Sequence, residues 1–312
     1  TGLLMNKIGK RKTVIISLII TSVAMVLPIC AYNYPVLIVS FCLLGIGNTL
    51  MQVSLNPLVN CIVTGDKLAS TLTFGQFVKA IASFIAPIIA SLAAAKFGNW
   101  LLLFPFFLVF SIVATVYLSL TEIKEPAVKV ESLSFIKCIK LLGDSSVLLF
   151  FLGIVCHVGI DVGVNTCAPK IIMERFALPL EKAAFATSIY FLFRTIGCFA
   201  GSFLLAKFPF KKFFAVSVAC MVLSMAGLFF CHTLTGLYVA IALVGFGNSN
   251  IFSMIFSSAL LYKPENDNEM SGLMIMGLIG GTIFPLLMGI LSDAFASQTG
   301  SVVVITAGGA YL

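Results

Sequence analysis

Charge is what this sequence has least of. Lysine, arginine, aspartate and glutamate make up 10% of its 312 residues, where a soluble domain carries about a quarter. So few charges cannot coat a water-facing globule of this length, which excludes a soluble enzyme. Histidine occurs twice, at His157 and His232, and tryptophan once. There is no HExxH run, no GxGD-like pair and no Ser/His couple at a credible position, so an intramembrane enzyme finds no support. The nine cysteines form no CxxC pair, and most stand inside apolar stretches, as small buried hydrophobes do. No metal and no cofactor are expected. A signal peptide is not apparent either: Thr1 is not a start residue, and the basic run Lys7 to Lys12 leads straight into an apolar span.

Apolar residues are what is there. They make up 60% of the chain, and the mean hydropathy is +1.12. About 20 mainly apolar residues suffice for a spanning helix. Segments of that kind are read at 13–32, 34–62, 69–95, 98–121, 145–173, 181–206, 210–231, 235–261 and 270–292, with a shorter one at 300–312. The expected fold class is therefore an all-α polytopic membrane protein. The long polar break at 122–144, with Glu122, Lys124, Glu125, Pro126, Lys129 and Glu131, divides it. Residues 1–121 are expected to form an N-terminal bundle, 122–144 a cytoplasmic linker and 145–312 a C-terminal bundle.

The basic residues alternate between breaks. One set of connections holds thirteen of the 19: Lys7, Lys10, Arg11, Lys12, Lys67, Lys124, Lys129, Lys137, Lys140, Lys207, Lys211, Lys212 and Lys263. The other set holds Lys96, Lys170, Arg175 and Lys182, while Lys79 and Arg194 lie within spans. Basic loops stay on the cytoplasmic side. The net charge of +7 thus reflects topology, and no nucleic-acid partner is implied. A multi-pass protein of the cytoplasmic (inner) membrane is expected, with lipid as its solvent.

The chain also repeats itself. Leu44-Gly45-Ile46-Gly47-Asn48-Thr49 is answered by Val244-Gly245-Phe246-Gly247-Asn248-Ser249, and Lys7, Arg11, Lys12 by Lys207, Lys211, Lys212, each at an offset of 200. Pro87 is answered by Pro285 at 198. Both members of each pair fall on the same side of the membrane, so the repeats run parallel, the organisation of the two halves of major facilitator transporters. Segments 145–173 and 181–206 have no earlier counterparts. The chain is therefore expected to be a fragment that lacks the first helix, most of the second and the end of the twelfth.

The loop Gly2-Leu3-Leu4-Met5-Asn6-Lys7-Ile8-Gly9-Lys10-Arg11-Lys12 resembles the major facilitator signature between helices 2 and 3, with Asn6 where that signature usually has an Asp. The runs Gln52-Val53-Ser54-Leu55-Asn56-Pro57, Gly75-Gln76, Ile251-Phe252-Ser253-Met254-Ile255-Phe256-Ser257 and Gly280-Gly281-Thr282-Ile283-Phe284-Pro285 resemble the fucose–proton symporter family. That resemblance implies a major facilitator fold and proton-driven uptake of a sugar. It also implies departures. The family's carboxylate ahead of the Asn-Pro pair is Gln52 here, and an Asn of its fifth helix is Lys79.

Charges in mid-membrane are costly and point to function. Asp161, Arg194 and Lys79 are the three within spans. Helical spacing gathers polar neighbours: His157, Asp161 and Asn165 on one face, Asn48, Gln52 and Asn56 on another, Gln76 with Lys79, and Thr187 with Tyr190 and Arg194. Such stripes must face one another or a wet cavity. Substrate-binding candidates are Asn48, Gln52, Asn56, Gln76, Lys79, His157, Asn165, Tyr190 and Asn248. Ion-coupling or gating candidates are Asp161, Arg194 and Lys79. The plainer alternatives are interhelical hydrogen bonds for the amides, packing for His157, and a structural Asp161–Arg194 pair. Gly45, Gly47, Gly245 and Gly247 are expected at helix contacts. The expected function is ion-coupled, proton-driven symport of a monosaccharide by a monomer, through rocking of the two bundles about a central site. The alternatives left open are carriage of an anionic sugar, export of drugs or metabolites, and a transporter-derived sensor.

Overall fold

The computed structural model describes the whole chain except residues 1–4, 6–7, 64–66, 124, 126–138, 180–182 and 184. Asn6 and most of the expected linker at 122–144 lie outside the described residues. Twelve helices are described: α1 (Lys10–Cys30), α2 (Tyr34–Ile62), α3 (Lys67–Phe97), α4 (Leu103–Leu120), α5 (Ser145–Phe176), α6 (Phe185–Lys207), α7 (Phe210–Phe230), α8 (Leu234–Asn248), α9 (Ile251–Tyr262), α10 (Asp267–Met276), α11 (Gly280–Phe295) and α12 (Thr299–Tyr311). No strand occurs among the described residues, and eight stretches of them are long and apolar enough to cross a bilayer.

These helices start and stop for local reasons. Asn33 accepts from the Val36 N–H at 3.0 Å, Thr233 from the Gly236 N–H at 3.2 Å, and Asp144 from the Ser146 N–H at 2.9 Å. Each is an N-cap for an otherwise orphaned donor. Hydroxyls inside apolar helices bond back to their own backbone, as Thr21 to the Ser17 carbonyl at 2.9 Å and Thr195 to the Phe191 carbonyl at 2.8 Å. This lets Ser and Thr sit in a span without an unsatisfied polar group. Val109, Val113, Val116, Tyr117 and Leu120 form an exposed stripe on α4. In water such a face would aggregate; in a bilayer it meets lipid.

The 200-residue repeat holds at the level of helix ends. The helix pair α1 (Lys10–Cys30) and α7 (Phe210–Phe230) each count 21 residues, and α2 matches the combined span Leu234–Tyr262 at 29. The caps Asn33 and Thr233 stand 200 apart, as do the closing bonds from Ala31 N to the Leu27 carbonyl and from Cys231 N to the Gly227 carbonyl. So does a packing contact. A Cβ added to Gly47 would stand 3.2 Å from the Ser17 carbonyl oxygen, and one added to Gly247 would stand 2.8 Å from that of Ser217. Small residues let membrane helices approach this closely. The expectation of a helix contact holds at Gly47, Gly245 and Gly247 but not at Gly45, where no heavy atom stands within 4 Å of an added Cβ.

The copies differ in continuity. Unbroken α2 has as its counterpart a helix interrupted at Ser249–Asn250, and unbroken α3 one interrupted by a 3-10 turn at Gly277–Ile279. The Asn250 amide donates to the Gly197 carbonyl at 3.0 Å, drawing the broken backbone onto α6.

By contacts the chain forms two compact units. The first comprises 1–64, 81–140 and 263–275; the second 65–80, 141–262 and 276–312. Within the first, α1 packs on α2 and α4. Within the second, α8 packs on α6 and α7, and α5 on α11 and α12.

Candidate functional site

In the second unit, α5 and α6 bring their polar stripes together. Arg194 Nη1 lies 2.7 Å from the Asp161 carboxylate, and the Tyr190 hydroxyl donates to the same carboxylate. Tyr190 and Arg194 are one turn apart on α6, so both reach one side chain on α5. Tyr190 is fully buried. The helix that presses α6 into place is α8: a Cβ on Gly245 would stand 2.5 Å from the Tyr190 carbonyl oxygen and 3.2 Å from the Arg194 backbone nitrogen.

One turn before Asp161, buried His157 meets buried Asn248 of α8. His157 Nδ1 is 2.8 Å from Asn248 Oδ1, and Asn248 Nδ2 donates to the His157 main-chain carbonyl at 3.2 Å. Because the amide's donor is committed to that carbonyl, its oxygen must accept, and Nδ1 must carry a proton. The pairing fixes the tautomer of the neutral ring and leaves Nε2 as its basic nitrogen. The ring of Phe252 stands 5.9 Å away, centroid to centroid.

Lys79 and Gln76 of α3 belong to this unit as well. Lys79 is exposed and Gln76 is half-buried. The start of α3 is tied to α6 by the Ser70 hydroxyl, which donates to the Ser202 carbonyl, and by Phe77 and Phe199, whose rings are 5.0 Å apart. Asn165 accepts from Thr187 Oγ1 through its main chain at 3.4 Å, while its side-chain oxygen is buried without a hydrogen-bond partner among the described residues.

Eight of the expected residues thus belong to one unit: Gln76, Lys79, His157, Asp161, Asn165, Tyr190, Arg194 and Asn248. The other three, Asn48, Gln52 and Asn56, line α2 in the first unit, where Gln52 Nε2 donates to Asn48 Oδ1 at 3.1 Å. No cluster able to hold a metal ion occurs among the described residues.

A second polar centre, in the first unit, escaped the sequence reading. Lys10 is buried and pairs with Asp267 at the start of α10, with Cys61 Sγ 3.4 Å from its Nζ. The Glu125 carboxylate accepts from the backbone nitrogens of Lys10 and Arg11, both at 2.7 Å, where an anion suits the positive end of α1. Arg11 in turn donates to the carbonyls of Leu118 and Ser119 at 3.1 and 2.7 Å. The positions that repeat Lys10 and Asp267 are Phe210 and Lys67, which cannot form an ion pair, so this centre has no twin.

Comparison with known proteins is consistent with these features. The model of the Major Facilitator Superfamily matches residues 1–285. The "Glucose/galactose transporter" of Brucella abortus is 25% identical over 94% of this chain and 74% of its own length. A structure of the E. coli fucose:proton symporter FucP superposes with a TM-score of 0.86 at 18% identity, covering 99% of this chain and 84% of that one. The proton:xylose symporter XylE superposes at 0.73 with 13% identity, covering 99% and 80%.

Proposed function

The chain belongs to the Major Facilitator Superfamily, and from that premise we propose that it is a proton-coupled symporter of a monosaccharide, working by alternating access in the cytoplasmic membrane as a monomer. The relatives named as glucose/galactose transporters support the substrate class. The observation that carries the coupling is the Asp161 network. Asp161 lies midway along α5, and its carboxylate faces both a guanidinium and a phenol. Its charge is matched by Arg194 while it is ionised. Protonation would cancel that match and free Arg194 and Tyr190 to move, so proton binding and helix rearrangement are linked. Gln76 and Asn165 offer directional hydrogen bonds of the kind that a sugar requires.

The test uses the complete reading frame in de-energised cells in weakly buffered medium. Addition of D-glucose, D-galactose or L-fucose should make the medium more alkaline for at least one sugar, and control cells should not respond. Asp161→Asn should abolish that signal and accumulation against a gradient. Accumulation undiminished in Asp161→Asn would remove the coupling assignment; no flux of any monosaccharide in reconstituted vesicles would remove the transport reading.

A further inference from the structure

We propose that Asn250 is a positioning residue of the transport cycle, a latch that ties the interruption between α8 and α9 to the state of the Asp161–Arg194 pair. This rests on the transport reading above and adds to it the element that the pair controls. Three successive residues at the interruption reach the two helices that carry the pair. Asn248 is bound to His157 of α5 by its reciprocal contacts at 2.8 and 3.2 Å. The Ser249 carbonyl accepts from the Cys198 thiol of α6 at 3.4 Å. The Asn250 amide donates to the Gly197 carbonyl of α6 at 3.0 Å and to Ser249 Oγ at 2.7 Å. His157 stands one turn before Asp161, and Gly197 and Cys198 stand one turn after Arg194. The break is thus seated one turn from the pair on both of its helices.

The seat is shaped for close approach. A Cβ on Gly197 would stand 2.9 Å from Ser249 Cβ and 3.0 Å from the Phe246 carbonyl oxygen, and one on Gly201 would stand 2.6 Å from Asn250 Nδ2. Ser249 and Asn250 are both buried. Ser249 Oγ donates to the Phe246 carbonyl at 2.6 Å, so a side chain takes up an acceptor that a continuous helix would use. The fold as such does not call for this. In the other repeat the counterparts of Ser249 and Asn250 are Thr49 and Leu50, and α2 runs through them unbroken. Beyond the break α9 starts anew, with the Asn250 carbonyl accepting from the Met254 N–H at 3.1 Å. Residues at an element's end are where a half-helix can swing. While the pair is closed, α5 and α6 are held together and both latches fit. When Asp161 loses its charge the two helices are free to part, and a break pinned to both cannot stay seated on both. Proton binding then becomes movement of α9.

The test uses the complete protein in proteoliposomes. Asn250→Leu should keep downhill equilibration of whichever of D-glucose, D-galactose and L-fucose the parent carries. Its accumulation of that sugar under an imposed proton gradient should fall about fivefold or more, the lower end of ordinary coupling between sites. Loss of both fluxes together would mark Asn250 as merely structural and overturn the latch, as would accumulation equal to the parent's. Spin labels at Phe203 of α6 and Leu261 of α9, both exposed, follow the movement without substrate. The native cysteines are replaced by serine, which keeps a donor at position 198. One distance is expected in the parent, and a second, added population in both Asp161→Asn and Asn250→Leu. The parental distance alone in Asp161→Asn would overturn control of the break by the pair. If the parent moves no monosaccharide, the transport reading falls, and the distances by themselves decide whether the break answers to Asp161.

Discussion

Asp161 and Arg194 show what a pair of side chains can be read for. Their placement mid-span, and the spacing of Tyr190 one turn from Arg194, were legible because a helix has a fixed period. The two side chains are 21% and 17% exposed, so removing one partner leaves the other charged and mostly out of water, at a cost below the roughly 3–5 kcal/mol of a fully buried pair. We therefore expect Arg194→Gln to lower the thermal midpoint of the detergent-solubilised protein more than the double variant Asp161→Asn/Arg194→Gln, which removes both charges. Similar midpoints for the two would show that the two charges do not depend on each other. Asn248 offers a neutral counterpart. Asn248→Leu strands the His157 carbonyl and its Nδ1 proton, which costs about 1–3 kcal/mol; a thermal midpoint like that of the parent would refute the pairing. The Lys10–Asp267 pair was not legible, because 257 residues separate its members and no local period links them. The signature position, where an Asp is usual, holds uncharged Asn6 and gives no hint of an acidic partner for Lys10.

Among the helices, segment positions followed from hydropathy, and their ends fell within a few residues of the caps. Two things did not follow. Periodicity saw one span at 235–261, whereas the structure breaks it at Ser249–Asn250; the trace in the sequence was the polar run Asn248-Ser249-Asn250. The approach of α8 to α6 was also hidden, since a glycine reads alike whether it faces a neighbour or open space. Gly245 and Gly289 separate the cases. An added methyl at Gly245 meets backbone atoms of Tyr190 and Arg194, which cannot rotate away, and at Gly289 it meets nothing within 4 Å. Gly245→Ala should destabilise by about 1–3 kcal/mol and depress uptake. Gly289→Ala should do neither. Equal behaviour of the two variants in a thermal-shift and uptake assay would remove the proposed contact.

At the scale of the molecule, the two sequence repeats are alike in frame and unlike in their polar centres. The Lys10–Asp267 pair stands where the other copy has Phe210 and Lys67. Half-buried Cys61 touches it and can report on it. In a background where Cys61 is the sole cysteine, Asp267→Asn should raise its rate of maleimide labelling severalfold, and the double variant Lys10→Met/Asp267→Leu should bring the rate back toward the parent. A rate unaffected by Asp267→Asn would show that the thiol does not sense the pair. The parallel repeat itself was legible from three matched motifs. The division of α3 and of the α10–α11 span between contact units was not, because contact grouping depends on long-range packing that no motif encodes.

The constant interval of 200 has a consequence for descent. From Gly9 to Ile62 and again from Pro209 to Tyr262, caps, helix ends and the intervening turn stay in step, while most side chains have been exchanged. Surface turns ordinarily gain and lose residues freely. Here none has been added or removed on balance since the copies parted. A bilayer of fixed thickness acts as a gauge, and selection on this stretch has tolerated changes of identity far more readily than changes of length.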